Sequence, residues 1–338
     1  EKTLQRNAGR LFRFAFMLTL GGAVALFAPL GILWLMGKPG WISLDGVLDV
    51  ASSPIFILLS CILAAAAFRI VRGCDAEEGD YSGLDRGLHR LAFRTRIAQI
   101  GMADLEDRMM ASALESCRTD RPVFITALPR AGTTLLLECC AGLPEFASHC
   151  YRDMPFVLVP CLWARFSASF QRGVEQRERA HGDGMLIDHD SPEALEEMVW
   201  ATFWKDRYRT DRILPWGVER HAEFRSFFDQ HLRKIIALRS CGACGGTRYM
   251  SKNNLNIART HTLRALYPDA EIVVPFREPL QHAASLLTQH RNFLRIHEED
   301  AFACDYMRAI GHFDFGRNLR PVDFDGWLDH AEERDPLT

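Results

Sequence analysis

An arginine, a glycine and two threonines in Pro129-Arg130-Ala131-Gly132-Thr133-Thr134 have the types and order needed to hold a phosphate-like anion. Backbone N–H groups at the start of a helix point at such an anion, and the helix dipole favours its charge. Gly132 lets the backbone approach closely, and the threonine hydroxyls add donors. Nucleotide triphosphatases place a lysine directly after the last glycine of this loop, where it reaches the β- and γ-phosphates. Here that position is Thr133, and the cation, Arg130, comes before the glycine. The loop can cradle an anion but lacks the usual device for splitting ATP.

Such a loop needs a strand behind it and a helix ahead of it. Val123 to Leu128 is a strand-like apolar run, and Thr133 to Gly142 reads as the helix. Ala270-Glu-Ile-Val-Val-Pro-Phe-Arg-Glu-Pro279 repeats the arrangement: a buried-strand pattern over Ile272–Phe276 ends in a charged turn, and Leu280 to Thr288 reads as a helix carrying Ser285. Between them, Pro155–Phe170 and Phe224–Leu238 read as helices, and Ser191-Pro192 reads as a helix start with Glu193, Glu196 and Glu197 near its positive end. Alternation of this kind predicts an α/β fold, a P-loop-like parallel sheet flanked by helices, with ligands at the carboxyl ends of the strands.

The two junctions together resemble the donor-binding motifs of the sulfotransferase family that uses 3′-phosphoadenosine 5′-phosphosulfate (PAPS). Tyr249-Met-Ser-Lys-Asn-Asn-Leu-Asn-Ile-Ala258, Leu263 to Pro268 and Tyr151-Arg-Asp-Met-Pro-Phe-Val157 add to the likeness. It runs from about residue 84 to the end and is nearest to bacterial members. The resemblance implies a sulfotransferase or nucleotide-kinase-like fold, PAPS as donor, adenosine 3′,5′-bisphosphate as product, and no metal. In the family the first motif holds the 5′-phosphosulfate, which assigns that task to Pro129, Arg130, Ala131, Gly132, Thr133 and Thr134. An arginine and a serine at the spacing of Arg277 and Ser285 hold the 3′-phosphate, and Lys252 matches a lysine near the donor.

Sulfuryl transfer needs a donor held in line, stabilised developing charge and a deprotonated acceptor. Arg130 is the candidate clamp on the sulfuryl end. Some family members place a glutamate base in the segment around residue 153, so Asp153 is the first choice for the base and His149 the second. Pairing with Arg152, or capping a helix near Pro155, is the structural alternative for Asp153. His189 and Glu196 stand behind them as acceptor-facing candidates, with a helix start as their plainer explanation.

The chain has 338 residues and a formal net charge of −3, so no global basic field calls for nucleic acid. Its ten cysteines show no spacing framework, which fits free thiols in a reducing compartment; Cys241-Gly-Ala-Cys244 reads as a glycine-rich loop. Phe14 to Met36 carries no charged residue and is long enough to span a bilayer, and Ser52 to Phe68 is a second apolar run; a hydrophobic hairpin that packs on the globular domain or sits in one leaflet is the alternative to spanning. Arginines before the first run and after the second put both ends in the cytoplasm. The expected plan is a membrane hairpin within residues 1–72 (helices over 14–36 and 52–70), a linker and amphipathic helices over 73–120, interrupted at Gly101, and a catalytic domain over 121–338. The family's C-terminal donor-closing segment is not recognisable, so truncation at that end is expected. The reading is a two-pass, membrane-anchored sulfotransferase with a cytoplasmic catalytic domain and a small-molecule, lipid or glycan acceptor. A nucleotide kinase or triphosphatase of related topology, and a non-catalytic membrane-anchored binding protein, are the alternatives.

Overall fold

A computed structural model describes residues 83–167, 177–178, 186–218, 221–240 and 247–333. The chain divides into two compact units, 1–90 and 91–338. The first is described only at 83–90, and the second carries the sheet and the site. Both hydrophobic runs and the Cys241–Cys244 loop lie outside the described residues. Among the described residues, no helix is long and apolar enough to cross a membrane.

Three helices lead in: α1 (Gly83–Arg94), α2 (Arg96–Met109) and α3 (Ala111–Glu115). Gly101 lies inside α2 and does not interrupt it; the break falls at Thr95, whose hydroxyl donates to the Leu91 carbonyl at 2.9 Å. A threonine that bonds back to the preceding turn offers the backbone an alternative to continuing the helix. Then follow β1 (Val123–Ile125), α4 (Thr133–Ala141), β2 (Phe146–Ala147), α5 (Pro160–Ser167), β3 (Arg177–Glu178), β4 (Leu186–Ile187) and α6 (Glu197–Phe203). The chain continues through α7 (Ala222–Arg239), β5 (Arg248–Lys252), α8 (Thr260–Leu266), β6 (Glu271–Val273), α9 (Pro279–Glu299) and α10 (Ala301–Ile310).

Four strands form a parallel sheet in the order β2-β5-β1-β6, and β3 and β4 make a separate antiparallel pair. Val123 pairs with Met250 on one side and Glu271 on the other, so β5, β1 and β6 end level with one another. Two further bonds close those ends: Asn253 N–H donates to the Ile125 carbonyl and Thr126 N–H to the Val273 carbonyl, each at 2.9 Å. This α/β sheet, flanked by helices, is the expected architecture. Alternation along β1 covers both faces. Phe124 packs with Trp200, Phe224, Phe228 and Tyr249, while Val123 and Ile125 pack with Leu137 and Met250. Burial of side chains of this size contributes about 1.5–3 kcal/mol each.

Several boundaries differ from expectation. The helix after Pro155 begins only at Pro160. Ser191-Pro192 forms a turn, because the Asp188 carboxylate accepts from the N–H groups of Asp190 and Ser191 at 2.8 and 2.9 Å. The following helix therefore waits until Glu197. Cys139, Cys140, Cys150, Cys161 and Cys304 are free, whereas Cys117 is disulfide-bonded, so the free-thiol reading fails at that residue.

Candidate functional site

Beyond β1 the chain turns through Thr126–Gly132 and enters α4. Gly132 has φ +92° and Arg130 φ +68°, both left-handed. The glycine adopts this freely, whereas an arginine is strained there by roughly 1–2 kcal/mol. Non-glycine residues held in this region cluster at functional sites, where the surroundings enforce them. The N-cap residue of α4 is Gly132, which has no side chain to bond the N–H groups of the first turn, so among the described residues no N-cap side chain occupies them.

The second junction supplies the surroundings. Glu278 caps α9, its carboxylate accepting from Leu280 and Gln281 N–H at 3.1 and 2.7 Å. That fixes Arg277 just ahead of the helix, and its Nη1 donates to the Arg130 carbonyl at 3.2 Å. One turn into α9, His282 Nε2 lies 2.7 Å from the Pro129 carbonyl, and Arg130 Nε donates to Ser285 Oγ at 3.4 Å. The two motifs, far apart in sequence, are in direct contact.

A cleft of about 290 Å³ opens where they meet. Every residue from Pro129 to Thr134 lines it, together with Lys252 at the end of β5 and Arg277. Asn254 braces the floor: its carbonyl accepts from the Thr126 hydroxyl at 3.1 Å, its Oδ1 from the Thr133 hydroxyl at 3.4 Å, and its Nδ2 donates to Asp314 at 2.9 Å. Glu193, His312, Asp314 and Phe315 form the remaining wall. The cleft thus sets three cations, Arg130, Lys252 and Arg277, around an uncapped helix N-terminus, an arrangement suited to a ligand with more than one anionic group.

The sequence model of the sulfotransferase family matches residues 122–313, which span both motifs and every strand of the parallel sheet. The chain belongs to the sulfotransferase family. Among solved structures it is similar to the sulfotransferase STF1 of Mycobacterium tuberculosis H37Rv, at 15% identity and a TM-score of 0.35, over 81% of this chain and 79% of that one. It is similar also to the sulfotransferase STF9 of Mycobacterium avium, at 14% identity and a TM-score of 0.32, over 86% of this chain and 77% of that one. No curated protein matches the chain.

In this sulfotransferase-family site, the cleft lining gathers Pro129 to Thr134, Lys252 and Arg277, with Ser285 held against Arg130. Asp153 and His149 stand elsewhere. Asp153 is buried, and its carboxylate accepts from Cys150 N–H at 3.0 Å and Arg239 Nη2 at 2.5 Å. His149 Nδ1 lies 3.3 Å from Asp153, and its Nε2 lies 3.2 Å from Nε2 of the equally buried His231. Burial alone would push the Asp153 carboxyl up, but the His149 hydrogen bond and the Arg239 charge outweigh it and hold the group at about 2. The partner of Asp153 is therefore Arg239, on α7. Arg152 pairs instead with Asp190, at 2.5 Å.

Glu196 is likewise committed to the core. It accepts from Tyr249, Asn256 and Trp200 at 3.0, 3.2 and 3.0 Å, and from Ser251. Glu197 pairs with Arg259, whose guanidinium lies 4.2 Å from the Trp200 ring centroid. Sequence reasoning missed four polar or ionisable members of the cleft wall. Asn254 lay inside a quoted motif and drew no role, and Glu193 was read as part of a helix start. His312 and Asp314 carry no local signal; they arrive because α10 ends at Gly311, whose φ of +86° redirects the chain.

Proposed function

We propose that the chain is a sulfotransferase with PAPS as donor, passing the sulfuryl group to a hydroxyl or amine. The observation that carries this reading is the convergence of the Arg130–Thr134 loop and Arg277 on one cleft. A phosphosulfate fits the uncapped N-terminus of α4, and a separate phosphate fits Arg277; a ligand with anions at both ends of a nucleoside satisfies both. The absence of a lysine after Gly132 speaks against a kinase or triphosphatase. The donor supplies an activated sulfuryl group. Arg130 and the first N–H groups of α4 are placed to neutralise charge that develops on it, and Lys252, from the adjacent strand end, adds a third positive group. Asn254 keeps Thr133 oriented. Calorimetric titration of the purified protein with adenosine 3′,5′-bisphosphate and with ATP tests the donor class. Preference for the bisphosphate is expected, preference for ATP would point to a kinase, and binding of neither to a non-catalytic protein.

The apolar runs over 14–36 and 52–68, with arginines on their outer flanks, support a two-pass anchor with both ends cytoplasmic, where it would meet the donor. A lipid or glycan acceptor follows from that placement by proximity, beside small molecules; the net charge of −3 disfavours nucleic acid. A cysteine introduced between Gly37 and Ala51 is expected to react with an impermeant thiol reagent in intact cells. Labelling at the termini instead would reverse the orientation.

A further inference from the structure

We propose that Glu193 is the group that takes the proton from the acceptor. The inference rests on the donor reading above and concerns the opposite wall of the same cleft. Two carboxylates line that cleft, Glu193 and Asp314. Asp314 is engaged by the Asn254 amide at 2.9 Å, and Asn254 in turn braces the anion loop, so Asp314 serves the floor. Glu193 has no such duty toward the loop, and three features orient it. Its backbone N–H donates to the His149 carbonyl at 2.9 Å, its Oε1 accepts from Ala194 N–H at 2.7 Å, and the Tyr151 side chain hydrogen-bonds the carboxylate. A base must first be within reach of the proton and only then matched in basicity. Glu193 meets the first condition by sharing the cleft with Arg130, Lys252 and the helix N-terminus. Asp153, locked to Arg239 outside the lining, does not.

The charges facing Glu193 are His312 and Lys252, with Tyr151 as a hydrogen-bond partner; Arg130, Arg277 and Asp314 are the other charged residues of the lining. Burial pushes the Glu193 carboxyl up, but His312, Tyr151, the Ala194 N–H and Lys252 together bring it below the ordinary 4.5. It is therefore ionised at neutral pH. The ionised carboxylate can accept the acceptor proton as the new bond forms. In the step itself, the acceptor oxygen bonds to sulfur and the bond from sulfur to the 5′-phosphate oxygen breaks. The acceptor proton passes to Glu193 and then to solvent. Sulfated acceptor and adenosine 3′,5′-bisphosphate leave.

The test is single-turnover cleavage of ³⁵S-labelled PAPS with water as acceptor, in wild type, Glu193→Gln and Glu193→Asp, together with bisphosphate titration of each. Glutamine preserves the acceptor for Ala194 N–H, so folding is expected to survive; aspartate keeps the base if it does not. The expected result is bisphosphate affinity within about threefold of wild type for Glu193→Gln, with cleavage reduced by roughly 10²–10⁴. The wild-type rate should stay level through neutral and mildly acidic pH and fall only below the ordinary glutamate value of 4.5, and Glu193→Asp should keep that limb. Cleavage by Glu193→Gln at the wild-type rate would overturn the assignment. So would a wild-type limb near pH 6.5, the ordinary histidine value, which would move the role to His312. A wild type that neither binds the bisphosphate nor cleaves PAPS would instead remove the donor reading and this inference with it.

Discussion

Asp153→Asn separates a structural aspartate from a catalytic one. The carboxylate is buried and held by Arg239 at 2.5 Å, Cys150 N–H at 3.0 Å and His149 at 3.3 Å. A drop from 3.8 to about 2 corresponds to about 2–3 kcal/mol of stability at neutral pH, since each unit is worth about 1.4 kcal/mol. The sign follows from the depressed folded value: the contribution is complete above 3.8 and is lost as pH falls towards 2. Removing one partner of a buried pair costs about 3–5 kcal/mol when nothing replaces it. Asparagine still accepts from Cys150 N–H, so about 2–3 kcal/mol is expected, or roughly 5–10 °C in Tm. Thermal unfolding at pH 7 and at pH 4 measures it, and bisphosphate titration of the folded variant should give the wild-type affinity. The variant should also lose less stability than wild type between pH 4 and pH 2. An unchanged Tm with abolished sulfuryl transfer would refute the reasoning and restore Asp153 as the base.

Gly132→Ala meets open space, with no atom within 4 Å of the added carbon, so its cost is the backbone φ of +92° alone. Denaturation should show about 1–2 kcal/mol lost, with weaker bisphosphate binding as the loop relaxes; unchanged binding would mean the loop does not hold the anion. Lys234→Ala leaves Glu106 buried without the ammonium that lies 2.8 Å away. Urea unfolding should report a loss of about 3–5 kcal/mol, and a loss below 1 kcal/mol would contradict the buried pairing of α2 with α7.

The anion loop was legible because its chemistry is local. A strand, a glycine-bearing turn and a helix start follow one another within a few residues, and their types state their purpose. The parallel sheet was legible through β1 and only in part through β6, where the expected buried strand over Ile272–Phe276 is a largely exposed strand at Glu271–Val273 with Phe276 outside it. β2 and β5 were not legible, since two residues and a polar Arg-Tyr-Met-Ser-Lys carry little strand pattern. The proposed base was the hardest residue to reach from the sequence. Asp153 and Glu193 both follow turn-forming stretches, and sequence spacing does not tell which one faces the cleft. The decision is made by Arg239, a long way along the chain, which captures Asp153, and by the turn at Asp188, which delays α6 and leaves Glu193 outside the helix. His312 joined the wall through the chain reversal at Gly311, a tertiary event.

The central claim is that one cleft binds a nucleotide by anions at both ends, with Arg277 holding the 3′-phosphate. Arg277 lines the cleft and also braces the loop, donating to the Arg130 carbonyl at 3.2 Å. Calorimetric affinities of adenosine 3′,5′-bisphosphate and adenosine 5′-phosphate, for wild type and Arg277→Ala, test this directly. Losing a charge-assisted bond to phosphate costs about 1.5–3 kcal/mol, or roughly 10- to 150-fold. Wild type should prefer the bisphosphate by at least that factor, and Arg277→Ala should lose the preference, weakening the bisphosphate far more than the monophosphate. Equal weakening of both ligands, or no preference in wild type, would contradict the account.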